Sequence, residues 1–179
     1  MHRYTRPLGV IVLLIALFSL PSCAQQSERI EPVSAKGGMV VSTQYLASEV
    51  GRDILKKGGN AVDAAIATAF ALAVVHPAAG NIGGGGFLVY QGADGEVTTF
   101  NFREKAPAAA TEDMFLTDGE IDSYKHHRAL TSTGVPGTVS GMALAHKRLG
   151  SLPWADLVEP AVRLAEDGFP FTENLSGFE

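Results

Sequence analysis

The sequence predicts an α+β fold, and three observations lead to this class. A hydrophobic stripe at helical spacing follows residue 42, and a continuous apolar stretch of helix-forming residues runs over 61–75. Two runs of β-forming residues, Phe87–Gln91 and Val97–Phe102, flank a turn-forming segment. Hydrophobic residues make up 46% of the 179 residues, so the chain can build a core and an intrinsically disordered chain is excluded.

An apolar run and an amphipathic helix come first in the predicted domain. Met39–Val41 is short and apolar, which predicts a strand. The helix that follows carries three apolar residues at spacing i, i+4, i+8: Leu46, Val50 and Ile54. Ser42 or Thr43 is expected to cap its N-terminus, and Gly58-Gly59 to end it.

The second helix is predicted to be the most deeply buried element. Asn60 is a good N-cap, and Asp63 three residues later places a carboxylate at the positive end of the helix dipole. Beyond Asp63 no charged residue occurs before His76, and apolar residues cover every face. Such a helix is expected to be covered on all sides, and its 15 residues are too few for a membrane span.

Four consecutive glycines, Gly83–Gly86, separate this helix from the predicted hairpin. A phosphate-binding loop requires the order strand, glycine loop, helix, with Lys and Ser or Thr after the last glycine. Here the order is helix, glycines, strand, and Phe87 follows directly. We therefore expect these glycines to serve a tight turn or close backbone packing.

The part of the chain after residue 107 is predicted to be a loop followed by helices. The stretch 108–133 is polar with weak periodicity and is expected to hold only short helical pieces. A helix is predicted over Val139–Leu149, and four residues are expected to share its inner side: Val139, Met142, Ala143 and His146. Pro153 is expected to open a helix over Trp154–Val158, and Pro160 to open another that ends before Gly168.

The N-terminal 23 residues are typical of an export signal. Arg3 and Arg6 precede the 13-residue apolar stretch Leu8–Leu20, which is too short for a bilayer core of roughly 30 Å. The only cysteine, Cys23, ends this segment in a context that resembles a bacterial lipobox, so lipidation of Cys23 or ordinary cleavage near Ala24 is expected. Residues 24–38 are polar and predict a flexible tether, and residues 39–179 form the domain.

Charge and cysteine content exclude several function classes. The formal net charge is −5, from 14 Lys and Arg against 19 Asp and Glu, which argues against a nucleic-acid partner. One cysteine cannot form an intrachain disulfide. No zinc or calcium motif and no Gly-x-Ser-x-Gly nucleophile elbow occurs, so no metal, cofactor or catalytic nucleophile is predicted from motifs.

Several separated blocks of the sequence resemble one enzyme family. The blocks occur in this order: KGGNAVDAAI at 57–66, VHP at 75–77, IGGGGFL at 82–88, FREKAP at 102–107, GVPG at 134–137 and PAVRLA at 160–165 with Gly168. Together they resemble the N-terminal part of the large subunit of γ-glutamyltranspeptidases, also called glutathione hydrolases. The resemblance covers about Met39 to Gly168.

The resemblance implies a partial N-terminal nucleophile hydrolase fold, an αββα sandwich that is incomplete in this chain. Such precursors cut themselves into a large and a small subunit, and the cut exposes a threonine that attacks the γ-glutamyl carbonyl. That threonine lies in a Thr-Thr-His-aromatic-Ser segment, which this sequence lacks. The implied substrates are glutathione or other γ-glutamyl compounds, with water, an amino acid or a dipeptide as acceptor, and no cofactor is implied. We expect the chain alone to be inactive.

The resemblance assigns one substrate-binding residue to this chain. The arginine of the Arg-Glu-x-Ala-Pro block binds the α-carboxylate of the γ-glutamyl group, and it corresponds to Arg103. Two other interpretations remain open: a cephalosporin-acylase-like amidase of the same fold, and a non-catalytic exported binding lipoprotein. The chain is expected in the bacterial periplasm or on the outer membrane, with membrane contact only through a lipid on Cys23.

Overall fold

The computed structural model describes residues 32–171, and the chain divides into two units between Ala35 and Lys36. All regular elements described here lie in the second unit. Its helices are α1 (Tyr45–Lys56), α2 (Ala61–Val75), α3 (Ser123–His127), α4 (Thr138–Leu149) and α5 (Trp154–Asp167), with a single 3-10 turn at Leu130–Ser132. Its strands are β1 (Phe87–Gln91), β2 (Val97–Asn101), β3 (Leu116–Thr117) and β4 (Glu120–Ile121).

Part of the N-terminal prediction falls on residues outside this description. The export signal, Cys23 and the tether up to residue 31 lie outside the described residues. Residues 32–38 are exposed and have no regular secondary structure. Among the helices of the described part, none has the length and apolar character needed to cross a bilayer.

Helix α2 is the centre of the core and packs against α1, α5 and α4. The predicted cap is confirmed: the Asn60 side chain accepts from the N–H of Asp63, and the Asp63 carboxylate accepts from the N–H of Asn60. The prediction that α2 is covered on all sides is wrong for one stripe of the helix. Ala65 is exposed there, and Ala69 and Leu72 are only partly covered. These three residues face grooves that residues 32–171 leave open.

The Asp63 carboxylate also holds the connection between α4 and α5. Its side chain is fully buried and accepts from the backbone N–H of Ser151 at 3.0 Å, from the Ser151 hydroxyl, and from the N–H of Leu152 at 3.3 Å. Burial raises the pKa of Asp63, but the hydrogen bonds from Ser151, Asn60 and Leu152 outweigh it, and the pKa lies below its ordinary value. One carboxylate thus joins the start of α2 to a segment almost ninety residues away.

The predicted hairpin is confirmed. Strands β1 and β2 pair antiparallel with Phe87 opposite Asn101 and Gln91 opposite Val97. The inner face places Leu88, Tyr90 and Phe100 against the core, and the outer face leaves three apolar side chains exposed: Phe87, Val89 and Val97. The pairing ends at Asn101, so Phe102 and Arg103 follow the last residue of β2.

A second, smaller hairpin lies within the stretch that was predicted to be a loop. Leu116 pairs with Ile121 and Thr117 with Glu120, joined by Asp118-Gly119. Both turn residues have positive φ, 53° and 84°, which is typical of a type I′ turn. The short helical pieces expected in the same stretch are present as α3 and the 3-10 turn.

Two expectations about the start of the domain are wrong. Met39–Val41 forms no strand and pairs with no strand of the described part. Val40 packs on the core, while Val41 is exposed. The N-cap of α1 is Gln44, whose side chain accepts from the N–H of Leu46 at 2.6 Å. The Ser42 hydroxyl cannot serve as this cap because it bonds Gln44 O and the Ser48 hydroxyl instead.

Two expectations about the last helices are also corrected. In α4 the buried residues are Thr138, Gly141, Met142 and Ala145, whereas Val139 and Ala143 are exposed, because Gly141 must face the ring of Phe102. Pro160 does not open a separate helix but lies inside α5, which runs unbroken to the positive-φ Gly168. Burial of Leu157 and Ala161 against the core offsets the backbone hydrogen bond that Pro160 cannot make.

We predict that Asp63→Asn lowers the free energy of unfolding by about 1–3 kcal/mol at pH 7. In the wild type, the donors around Asp63 bond two carboxylate oxygens, whereas the amide of the variant offers them only one acceptor oxygen. A carboxylate with a lowered pKa stabilises the fold above its unfolded pKa of about 4, and that stabilisation is lost as the pH falls through the folded value. The difference between wild type and variant should therefore shrink below about pH 4.

Urea unfolding, followed by circular dichroism at several pH values, measures the free energy of unfolding of the wild type and of the variant. Asp53→Asn is the matched control, because Asp53 is half-exposed and its change should cost under about 1 kcal/mol. An Asp63→Asn effect no larger than that of the control at pH 7 would contradict the anchoring role.

Candidate functional site

Arg103 lies just beyond the end of β2, in the irregular segment that leads to Glu104 and Lys105. Its backbone N–H donates to the Asn101 side chain at 3.1 Å. Its side chain is 60% exposed, so the guanidinium faces open space. The structure therefore places the sequence-predicted residue at a strand end with its charge accessible to a ligand.

Three chain segments meet around Arg103, and backbone hydrogen bonds close them into a circuit. We call them segment A (84–86), segment B (102–105) and segment C (134–138). Segments A and B are joined by the Phe102 N–H to Gly86 O at 3.0 Å, and segments B and C by reciprocal bonds of Lys105 with Val135 at 3.2 and 2.8 Å. The Gly137 N–H donates to Gly84 O at 2.8 Å and closes the circuit.

Glycines allow the close approach of these segments. A Cβ on Gly137 would overlap the carbonyl oxygen of Phe102, and a Cβ on Gly85 would lie 2.6 Å from the same oxygen. A Cβ on Gly141 in α4 would overlap the Phe102 side chain. The prediction of close backbone packing is therefore met at Gly85, and none of the four glycines in that run needs a positive φ.

Glu104 is the acidic residue beside the guanidinium. Its Oε2 lies 3.2 Å from Arg103 Nη1, within ion-pair distance but without the alignment of a hydrogen bond. That oxygen is buried and has no hydrogen-bond partner among residues 32–171. Glu104 thus lies on one side of the guanidinium, and the exposed side of the guanidinium stays open to a ligand.

Asn81 supports the circuit from the turn after α2. Its side-chain oxygen accepts from the Gly84 N–H at 2.9 Å and from the Thr138 hydroxyl at 3.1 Å. Neither this role nor that of Gly137 was predicted, although Asn is among the residues that favour turns. Beside them, an apolar groove of about 460 Å³ runs between α2 and β1.

The described part of the chain presents an exposed cation at Arg103. Among residues 32–171, no hydrogen bond joins a serine or threonine hydroxyl to a histidine, and no three His, Cys, Asp or Glu side chains cluster as metal ligands would. Cys23, predicted as a lipidation site, lies outside the described residues. The arrangement is suited to binding an anion at Arg103.

Comparison with known proteins agrees with the blocks in the sequence. The family model described as gamma-glutamyltranspeptidase matches residues 47–178. The glutathione hydrolase proenzyme of Pseudomonas sp. (strain A14) is 48% identical over 169 residues, which are 94% of this chain and 28% of that protein. The chain thus spans about a quarter of the length of this curated relative.

Solved structures give the same result. The crystal structure of Helicobacter pylori gamma-glutamyltranspeptidase matches with a TM-score of 0.79 and 46% identity, over 83% of this chain and 43% of that one. The cephalosporin acylase from Bacillus halodurans matches with a TM-score of 0.72 and 36% identity, over 89% of this chain and 30% of that one. The α+β class is confirmed, as part of an N-terminal nucleophile hydrolase fold. The match over residues 47–178 shows that this chain belongs to the gamma-glutamyltranspeptidase family.

Proposed function

We propose that this chain forms the first part of the large subunit of an enzyme that hydrolyses or transfers γ-glutamyl groups, with glutathione among its substrates. The observation that carries the proposal is the exposed guanidinium of Arg103, held by a closed backbone circuit at a strand end. The names of the relatives supply the substrate class.

The role proposed for Arg103 is to bind the α-carboxylate of the γ-glutamyl group. A guanidinium presents two parallel N–H groups that match the two oxygens of a carboxylate, which a lysine ammonium cannot do. Glu104 contacts the guanidinium at 3.2 Å and so limits its rotation. A substrate bound through its α-carboxylate would extend its γ-carbonyl away from Arg103, toward the group that attacks it.

In the proposed reaction, the attacking group comes from the small subunit of the same precursor. A threonine hydroxyl adds to the γ-carbonyl while the α-amine of that threonine takes the hydroxyl proton. The amide C–N bond then breaks, the proton passes to the departing nitrogen, and a γ-glutamyl ester remains on the threonine. Water releases glutamate from this ester, or the amine of an amino acid or dipeptide takes the γ-glutamyl group.

The exposed apolar surface supports a partner polypeptide of this kind. On the outer face of the hairpin, Phe87 and Val89 are 67% and 71% exposed. The open stripe of α2 at Ala65, Ala69 and Leu72 is also apolar and borders two grooves. Contiguous apolar surface of this kind is typical of a protein–protein interface. We propose that the remainder of the precursor, including the small subunit, covers it.

The cephalosporin-acylase-like amidase is the second candidate, and the similarity to the Bacillus halodurans enzyme favours it to a lesser degree. The two differ in the substrate group that Arg103 would bind. A γ-glutamyl compound needs a cation for its α-amino-acid carboxylate, so the Phe102–Pro107 block favours the γ-glutamyl class. A non-catalytic binding lipoprotein would leave the apolar surfaces of α2 and the hairpin without a function.

We further propose that the chain is exported to the bacterial periplasm and anchored through a lipid on Cys23. Support comes from the basic start, the apolar stretch and the position of the only cysteine. Expressed in a Gram-negative host, the chain should partition with membranes and carry a diacylglyceryl mass on Cys23. Cys23→Ala should remain soluble in the periplasm. A wild-type chain cleaved after Ala24 and free of lipid would contradict the anchor.

We predict that the 179-residue chain alone does not turn over a chromogenic γ-glutamyl anilide above a heat-treated control. The hybrid enzyme, defined as this chain joined in frame to the remainder of the Pseudomonas sp. (strain A14) proenzyme, should cut itself into two subunits and be active. Turnover by the chain alone, or an inactive hybrid enzyme, would each contradict the proposed function.

Changing Arg103→Lys in the hybrid enzyme should weaken γ-glutamyl binding by about 1.5–3 kcal/mol, because lysine loses the bidentate contact. This corresponds to a rise in KM of roughly 10- to 150-fold with a smaller change in kcat. Steady-state kinetics measure both constants. Lys147→Arg, on the exposed side of α4 and outside the three segments, is the control and should leave KM unchanged. An unaltered KM in Arg103→Lys would refute the assignment.

A further inference from the structure

Two glycines of the same run, Gly83 and Gly85, have opposite surroundings. A Cβ built on Gly83 would have no atom within 4 Å among the described residues. A Cβ on Gly85 would lie 2.6 Å from Phe102 O, 2.7 Å from Glu104 N and 2.8 Å from Glu104 Oε2. Neither glycine has a positive φ, so the difference is one of space and not of backbone conformation.

The atoms around Gly85 are those immediately before and after Arg103. Phe102 O and Glu104 N belong to the two peptide units that flank Arg103, and backbone at such distances cannot move aside as a flexible side chain can. The third atom, Glu104 Oε2, is the carboxylate oxygen that lies 3.2 Å from Arg103 Nη1. A side chain at position 85 would therefore collide with both the backbone that flanks Arg103 and the carboxylate beside its guanidinium.

Backbone hydrogen bonds oppose separation of the three segments. Segment A is bonded to segment B through Gly86 and to segment C through Gly84, and segments B and C are bonded to each other through Lys105 and Val135. A methyl group on Gly85 must therefore shift segment B, which carries Arg103, or break the circuit. Gly134 makes a milder contact of the same kind, with a Cβ position 3.1 Å from Glu104 Cβ.

We propose that Gly85 is a positioning residue for γ-glutamyl substrates: by lacking a side chain, it lets segment B and the Glu104 carboxylate hold Arg103 where the substrate α-carboxylate binds. This inference rests on the proposed function of Arg103. Gly85 itself touches no substrate and acts only through segment B.

The test measures KM and kcat of the hybrid enzyme for a γ-glutamyl anilide. Gly85→Ala should raise KM roughly 10- to 100-fold, because a displaced guanidinium loses much of its charged, bidentate contact with the substrate α-carboxylate. The kcat value should change far less, because the contact between Arg103 and the α-carboxylate is present in both the ground state and the transition state. Gly83→Ala is the matched control, from the same run with the same substitution, and should leave both constants unchanged.

A double-mutant cycle with Arg103→Lys separates positioning from a general loss of structure. If Gly85 acts through the guanidinium, Gly85→Ala should change KM at most a few-fold when Lys already occupies position 103. An equal rise in both backgrounds, or no rise with Arg103 present, would overturn the inference while leaving the role of Arg103 intact. An unchanged KM in Arg103→Lys alone would overturn the proposed function and the inference with it.

A second variant keeps the inference testable if Gly85→Ala prevents folding or self-cleavage. Gly134→Ala narrows the space at Glu104 without overlapping backbone, so it should fold and raise KM by a smaller factor than Gly85→Ala would. Subunit formation on a denaturing gel and the thermal midpoint report folding for each variant. A well-folded Gly134→Ala enzyme with wild-type KM would contradict the inference.

Discussion

The backbone circuit of segments A, B and C is the constraint on which the candidate site depends. Each segment is hydrogen-bonded to the other two, so none can move without breaking a bond in the circuit. Side chains are excluded where the segments come closest, which is why Gly85 and Gly137 stand there. The result is a fixed backbone on both sides of Arg103 with a charged side chain that still faces open space.

The circuit is held in place by the core beneath it. Phe102 fills the space next to Gly141, so segment B is fixed to α4, and α4 packs on α2. Asp63 in turn binds the connection between α4 and α5 to the start of α2. The same core leaves Ala65, Ala69 and Leu72 of α2 facing open grooves. Rigid support for the Arg103 guanidinium and an open apolar face thus occur in one unit.

Local signals made part of this structure predictable. The cap of α2 by Asn60 and Asp63 depends on residues within one turn and was predicted, as was the first hairpin. The Asp118-Gly119 hairpin carried an equally local signal that was overlooked. Pro160 inside α5 and the rotation of α4 toward Phe102 depend on tertiary packing, which overrides local preference and leaves no periodic signal. For the site, the resemblance predicted Arg103 as a substrate-binding residue, but the close approach of segments A and B at Gly85 joins residues far apart in sequence.

A crystal structure of the hybrid enzyme with bound glutamate tests the central claim most directly. Two α-carboxylate oxygens of the ligand should lie about 2.7–2.9 Å from two guanidinium nitrogens of Arg103, with the segment circuit unchanged. Glutamate bound with its α-carboxylate on other residues, and Arg103 turned toward solvent, would contradict the account.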